Sequence, residues 1–183
     1  MRAFFINFFI FTFMSSACFA AESVKGENDK VVDNVKSYKL SSVSLLAELL
    51  KENIMLESKE KTVREFCAAW DDLDIDKILS LMSEDALYHN LPLEPLKGQQ
   101  QIAGFVDGFF QLANRAKFEI LTLVADEERV VTERVDTFGF KDGSVMKELP
   151  VLGIFEFDES GKISSWREYW DLQDWVKRGG PAL

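Results

Sequence analysis

The sequence predicts an α+β fold in which about three N-terminal helices lie across a curved, mixed or antiparallel sheet and close one apolar pocket. Two observations carry this expectation. Apolar residues recur at helical spacing up to about Ala113. After Lys117 the chain changes to β-branched and aromatic segments separated by short polar turns. Helices followed by a meander belong to α+β domains; alternating units would indicate α/β.

Residues 1–20 read as a secretory leader: Arg2, an uncharged run from Ala3 to Met14, then mostly small residues to Ala20. Cleavage is expected after Ala20, giving an exported protein, periplasmic or secreted. The apolar run is about 12 residues, short of the roughly 20 that span a bilayer. A lipid anchor at Cys18 is the alternative, disfavoured because Ser15 stands where a large aliphatic residue is expected. Apart from such an anchor, no membrane association is expected after cleavage.

Residues 21–58 read as a polar linker with one short amphipathic helix. Its stripe, Leu45, Leu46, Leu49, Leu50 and Ile54, is expected to lie on the domain surface. The domain proper is placed at 59–176, with a tail over 177–183. Val63, Phe66, Cys67 and Trp70 mark its first helix. Asp74 is positioned to cap a second, with Ile75, Ile78, Leu79 and Met82 as its stripe. A short extended segment, Ala86 to Asn90, ends at Leu91-Pro92-Leu93. Gly98 opens a third helix through Ile102, Phe105, Val106, Phe109, Phe110 and Ala113. Strands are expected over Phe118–Val124, Arg129–Phe140, Lys147–Phe157 and Lys162–Leu172.

Charge and scarce residues limit the function. The chain of 183 residues carries a formal −10, about −11 without Arg2, which argues against nucleic acid or an anionic surface as partner. Two Cys and one His cannot form a Cys/His zinc cluster, and no cofactor or metal is called for. Cys67 falls on an apolar helical stripe and reads as a small core residue.

Strand alternation then selects a constellation. Val130, Thr132, Arg134, Asp136 and Phe138 share one face of the second long strand. Trp166, Glu168 and Trp170 share a face of the last, and Tyr88 and Asn90 share a face of the short early one. His89 points the other way. If these faces meet in one cavity, an Arg bridges two carboxylates that can divide into acid and base, while Tyr88 and Asn90 hold a water. The alternative is a solvent-facing Arg134–Asp136 pair worth little, with Glu168 exposed at a sheet edge.

The same residues carry a resemblance. Tyr88-His89-Asn90-Leu91-Pro92-Leu93, Thr132-Glu133-Arg134-Val135-Asp136 and Trp166-Arg167-Glu168-Tyr169-Trp170-Asp171-Leu172 resemble, in order, three motifs of the limonene-1,2-epoxide hydrolases. Leu152-Gly153-Ile154-Phe155 adds a weaker match. The resemblance implies a cone-shaped, nuclear transport factor two-like (SnoaL-like) fold and cofactor-free hydrolysis of a hydrophobic epoxide to a vicinal diol in one step. It implies that Tyr88 and Asn90 position the water, Asp136 protonates the epoxide oxygen, Arg134 bridges the acids, and Glu168 takes the water's proton. It also implies a homodimer. Two positions depart from the family pattern: Glu168 replaces Asp, and Trp170 replaces Phe. Trp70, Phe109, Phe138, Leu149, Val151 and Trp170 are the candidate pocket lining. An isomerase or cyclase of the same fold, or a non-catalytic binding protein, are the competing functions.

Overall fold

Between Asp29 and Asp71 there is neither Gly nor Pro, so nothing in that stretch interrupts a helix. In the computed structural model, which describes residues 29–91 and 93–181 and side chains from 38 onward, Asp29–Asp71 is one helix, α1. The leader and Cys18 lie outside the described residues. So does Pro92, which belongs to one of the resembling motifs. The described residues divide into two units, 29–49 and 50–181. The linker expectation is corrected from Asp29 onward. Apolar periodicity is weak there, but neither Gly nor Pro interrupts the stretch and the helix runs through it unbroken. Ser41 and Ser42 bond back to the Tyr38 carbonyl, and Asn53 pairs with Glu57 at 3.0 Å. Leu45, Leu46, Leu49, Leu50 and Ile54 are exposed, Ile54 at 65%.

The C-terminal part of α1 does enter the core. Val63, Phe66, Cys67 and Trp70, at i, i+3, i+4 and i+7, are all buried. Leu73, at φ 55°, turns the chain into α2 (Ile75–Ser80). The Asp74 carboxylate caps α2, accepting from the Lys77 N–H at 2.9 Å. Strand β1 (Met82–Leu91) follows directly, longer than expected because Met82 is its first residue and not the end of a helical stripe. A short β2 (Leu96–Lys97) pairs back on it.

Helix α3 (Gln99–Leu112) begins after Gly98, whose φ of 80° suits glycine. The Gln99 amide donates to the Leu79 and Met82 carbonyls, tying α3 to the α2–β1 junction. Four further strands follow: β3 (Ala113–Ala125), β4 (Arg129–Phe140), β5 (Val145–Phe157) and β6 (Ile163–Tyr169). Ala113 belongs to β3, paired with Phe140, and not to the helix.

The sheet order is β2-β1-β6-β5-β4-β3. All neighbours are antiparallel except β1 and β6. That parallel pairing brings the first strand beside the last, Tyr88 against Trp166 and Asn90 against Glu168. A bulge in β5 between Met146 and Leu149, with Glu148 at φ 56°, turns Leu149 and Val151 inward.

A last helix, α4 (Leu172–Lys177), was not expected from the sequence, although Asp171 caps it by accepting from Asp174 N–H at 2.7 Å. Residues 178–181 are not a loose tail. The Arg178 carbonyl accepts from Lys147 N–H, and the Trp175 indole donates to the Pro181 carbonyl at 2.7 Å.

Candidate active site

On β4 the inward face reads Val130, Thr132, Arg134, Asp136 and Phe138, and every one of these side chains is buried. Burying a guanidinium is costly unless it is paired and hydrogen-bonded. Arg134 meets that condition completely. Its Nε donates to Asp136 Oδ1 at 3.1 Å and its Nη2 to Asp136 Oδ2 at 2.9 Å, a bidentate pair. Nη2 also donates to Glu168 Oε1. Nη1 reaches Thr132 Oγ1 at 3.4 Å, and the guanidinium carbon sits 4.5 Å from the centre of the Phe118 ring. The structure therefore excludes the solvent-facing pair.

Glu168 comes from β6, between Trp166 and Trp170 on the same face. Its second oxygen, Oε2, accepts from the Tyr88 hydroxyl at 3.4 Å. Tyr88 is held by its ring, stacked on Trp166 at 4.1 Å between centroids and 7° between planes. Asn90, one pleat further along β1, accepts at Oδ1 from the Trp170 indole N–H. Tyr88, Glu168, Arg134 and Asp136 thus form one hydrogen-bonded cluster, and Asn90 lies beside it, paired with Glu168 in the sheet. His89 lies on the opposite face of β1.

The electrostatics follow from burial. Removal from water pushes the Glu168 carboxyl up to about 7, against the opposing pull of Arg134. Burial raises Asp136 too, again opposed by Arg134. Burial disfavours the Arg134 charge, but Asp136 and Glu168 overcome this and keep it protonated. Burial also holds the Tyr88 phenol well above its ordinary value. One cation between two acids is neutral when the acids share one proton, and that proton belongs to the pair. Cys67 is buried in the core, its thiol pushed up to about 12 by burial, so it is neither thiolate nor nucleophile. Among the described residues no cluster of His, Cys, Asp or Glu is arranged to hold a metal ion.

Above the cluster lies a cavity offering about 60 Å³ to the centres of water molecules, lined by Trp70, Tyr88, Asn90, Leu93, Phe105, Phe109, Phe118, Asp136, Phe138, Leu149, Val151, Glu168, Trp170 and Trp175. All six lining residues expected from the sequence are present. Phe105, Phe118, Leu93 and Trp175 were missed. Trp175 could have been found from the Asp171-x-x-Asp174 capping pattern that starts α4. Phe118 shares a strand face with Ala116, and only the β3–β4 register places it over Arg134.

Gly153 lies in the Leu152-Gly153-Ile154-Phe155 segment, and its neighbours explain why glycine stands there. It pairs with Thr132 on one side and Glu168 on the other. A Cβ here would lie 2.7 Å from both Arg134 Nη1 and Thr132 Oγ1. The guanidinium occupies the volume that a side chain would need. Gly153→Ala is expected to destabilise the fold by about 1–3 kcal/mol in urea unfolding, because Arg134 is fixed by its partners and cannot yield cheaply. A change below a few tenths would show that the bridge is looser than its hydrogen bonds imply.

A curved sheet and helices around a buried acid–guanidinium–acid cluster and an apolar pocket define a nuclear transport factor two-like domain. Within that class, residues 57–179 match the limonene-1,2-epoxide hydrolase catalytic domain, and the chain belongs to this family. It is similar to epoxide hydrolase EphG of Mycobacterium tuberculosis, 29% identical over 143 residues, covering 75% of this chain and 92% of that one. The structure of an LEH-like epoxide hydrolase from M. tuberculosis superposes with a TM-score of 0.58 at 27% identity, over 67% of this chain and 90% of that one. A nuclear transport factor two-like protein of unknown function from Burkholderia pseudomallei superposes at 0.61 with 14% identity, over 68% of this chain and 98% of that one, a likeness of fold alone.

Proposed function

We propose that the chain hydrolyses a hydrophobic epoxide to a vicinal diol in one step, without a cofactor. The observation that carries this reading is the Arg134 guanidinium bonded at once to Asp136 and Glu168 beside an aromatic cavity. Family membership and the likeness to EphG support it.

The roles follow from position. Glu168 lies next to Tyr88 and Asn90, the two groups able to hold a water, so it is the base. Asp136, on the other side of the guanidinium, is the acid. The water oxygen attacks one epoxide carbon as Glu168 takes a water proton. The ring C–O bond breaks as Asp136 protonates the leaving oxygen. The pair holds one proton before and after, moved from Asp136 to Glu168, and its return completes the cycle. Arg134 stays charged throughout. The aromatic and aliphatic lining of the cavity fits an apolar substrate.

The direct test is a screen of terpene, styrene and fatty epoxides in water enriched in oxygen-18, reading labelled diol. In a single turnover the label is expected in the diol at once. Label entering the protein first would indicate a covalent ester, and no diol from any epoxide would remove the reading.

The pH profile tests the shared proton. Turnover needs the singly protonated pair, and burial keeps that proton bound up to about pH 7. kcat is therefore expected to fall as pH rises through about 7, when the pair loses the proton it shares. It falls again at low pH, when both acids are protonated. A kcat still rising above pH 8 would exclude this acid–base pair.

Export through residues 1–20 and pairing into a homodimer belong to the same proposal. Mass spectrometry of the exported chain checks the first, and sedimentation the second.

A further inference from the structure

We propose that Trp170 is a positioning residue for this hydrolysis, acting by fixing which end of the Asn90 carboxamide faces the water. The inference rests on the hydrolase reading above. Its observation is the indole N–H of Trp170 donating to Asn90 Oδ1. Trp170 is itself held by Trp175, ring centroids 5.7 Å apart, and Trp175 is tied to the Pro181 carbonyl.

A proton count shows why the amide's direction matters. A water has two protons and two lone pairs. Tyr88 gives its own proton to Glu168 Oε2, so the phenol oxygen that remains toward the water is an acceptor. Glu168 is a second acceptor. These two already use both water protons. If Asn90 also presented its oxygen, three acceptors would compete for two protons. With Oδ1 taken by the indole, Asn90 presents Nδ2, a donor, which has no protein partner among the described residues. The water then gives one proton to Glu168 and one to Tyr88, accepts one from Asn90, and keeps a single lone pair for the epoxide carbon. The Phe of the family pattern at this position has no N–H with which to set the amide.

The full chain, labelled with nitrogen-15 in the indoles of its four Trp, tests this directly. The Trp170 signal is assigned by its loss in Trp170→Phe. In Asn90→Ala that indole proton is expected to move upfield and exchange faster. An unmoved signal overturns the inference, whatever the enzyme does. In turnover, Trp170→Phe keeps a ring in the pocket and is expected to lower kcat about tenfold, as for one lost hydrogen bond in the transition state, with KM changed less than about threefold. The same change in an Asn90→Ala background is expected to cost nothing further. Equal losses in both backgrounds, or a loss confined to KM, would mean that Trp170 only shapes the pocket. If the wild-type chain opens no epoxide, the hydrolase reading fails and positioning fails with it, while the indole signal still decides whether the hydrogen bond exists.

Discussion

Asp136→Asn and Glu168→Gln are each expected to lower epoxide turnover by about 10²–10⁴-fold while leaving a folded domain, because each removes one of the two proton-transfer groups. Each variant keeps a side chain of nearly the same shape. Neither can do the missing step: Asn has no proton acidic enough to give the epoxide oxygen, and Gln cannot take one from water. kcat from diol formation, set beside circular dichroism of the same samples, measures this. A loss below about tenfold in either would move the chemistry to other residues. Glu168→Asp is the sharper member of the series. Asp is the family's residue at this position, yet in this chain the longer Glu closes the bridge to Arg134 and to the Tyr88 hydroxyl. Shortening the arm moves the carboxylate by roughly an ångström, and such a displacement costs on the order of a hundredfold. Glu168→Asp is therefore expected to be impaired here. Full activity would show that the pocket adapts to either length.

Strand parity made the site legible. A strand's side chains alternate, so a charged residue two positions from another, inside an apolar row, is either exposed or paired in the interior. That rule put Arg134 and Asp136 on one face of β4 and Glu168 on a face between two indoles, and left open whether those faces are exposed or interior. All three are buried. Periodicity was a poorer guide where it was weak. The first turns of α1, before Leu45, have little apolar stripe, but their lack of Gly and Pro is the informative signal. Helix α4 was hidden because six residues cannot show a period, although Asp171 and Asp174 marked its start.

What the sequence could not show is anything set by pairing between distant strands. Asn90 and Trp170 are 80 positions apart and meet only because β1 runs parallel to β6. Gly153 acquires its meaning only when β5 lies between Thr132 and Glu168. Both facts belong to register, which no local pattern encodes. The family motifs do contain the residues, but the motifs name Arg134 without giving the reason for the space it fills.

That space is where the largest effect on stability is expected. Arg134→Met replaces the guanidinium by an apolar chain of similar length and leaves Asp136 and Glu168 buried without a cation. Losing one member of a buried ionic cluster costs about 3–5 kcal/mol. The cost depends on pH, and its sign can be worked out. Burial already raises both carboxyls in the wild type, so the folded state binds more protons than the unfolded one between the ordinary carboxyl range and about pH 7. Stability from this cluster therefore falls as pH rises across that window, the reverse of a salt-bridged surface acid. Without Arg134 the opposing pull is gone and both carboxyls rise further. At pH 5 they fold protonated, and one can hydrogen-bond the other. At pH 8 folding must either bury two like charges or take up two protons from dilute solution. Urea unfolding is thus expected to show the full penalty for Arg134→Met at pH 8 and a clearly smaller one at pH 5. Adding Asp136→Asn to Arg134→Met should recover part of the pH 8 loss, since only one unpaired carboxyl then remains. A penalty independent of pH would mean that Arg134 acts by filling volume over Gly153, and that the charge between the two acids contributes nothing to the fold.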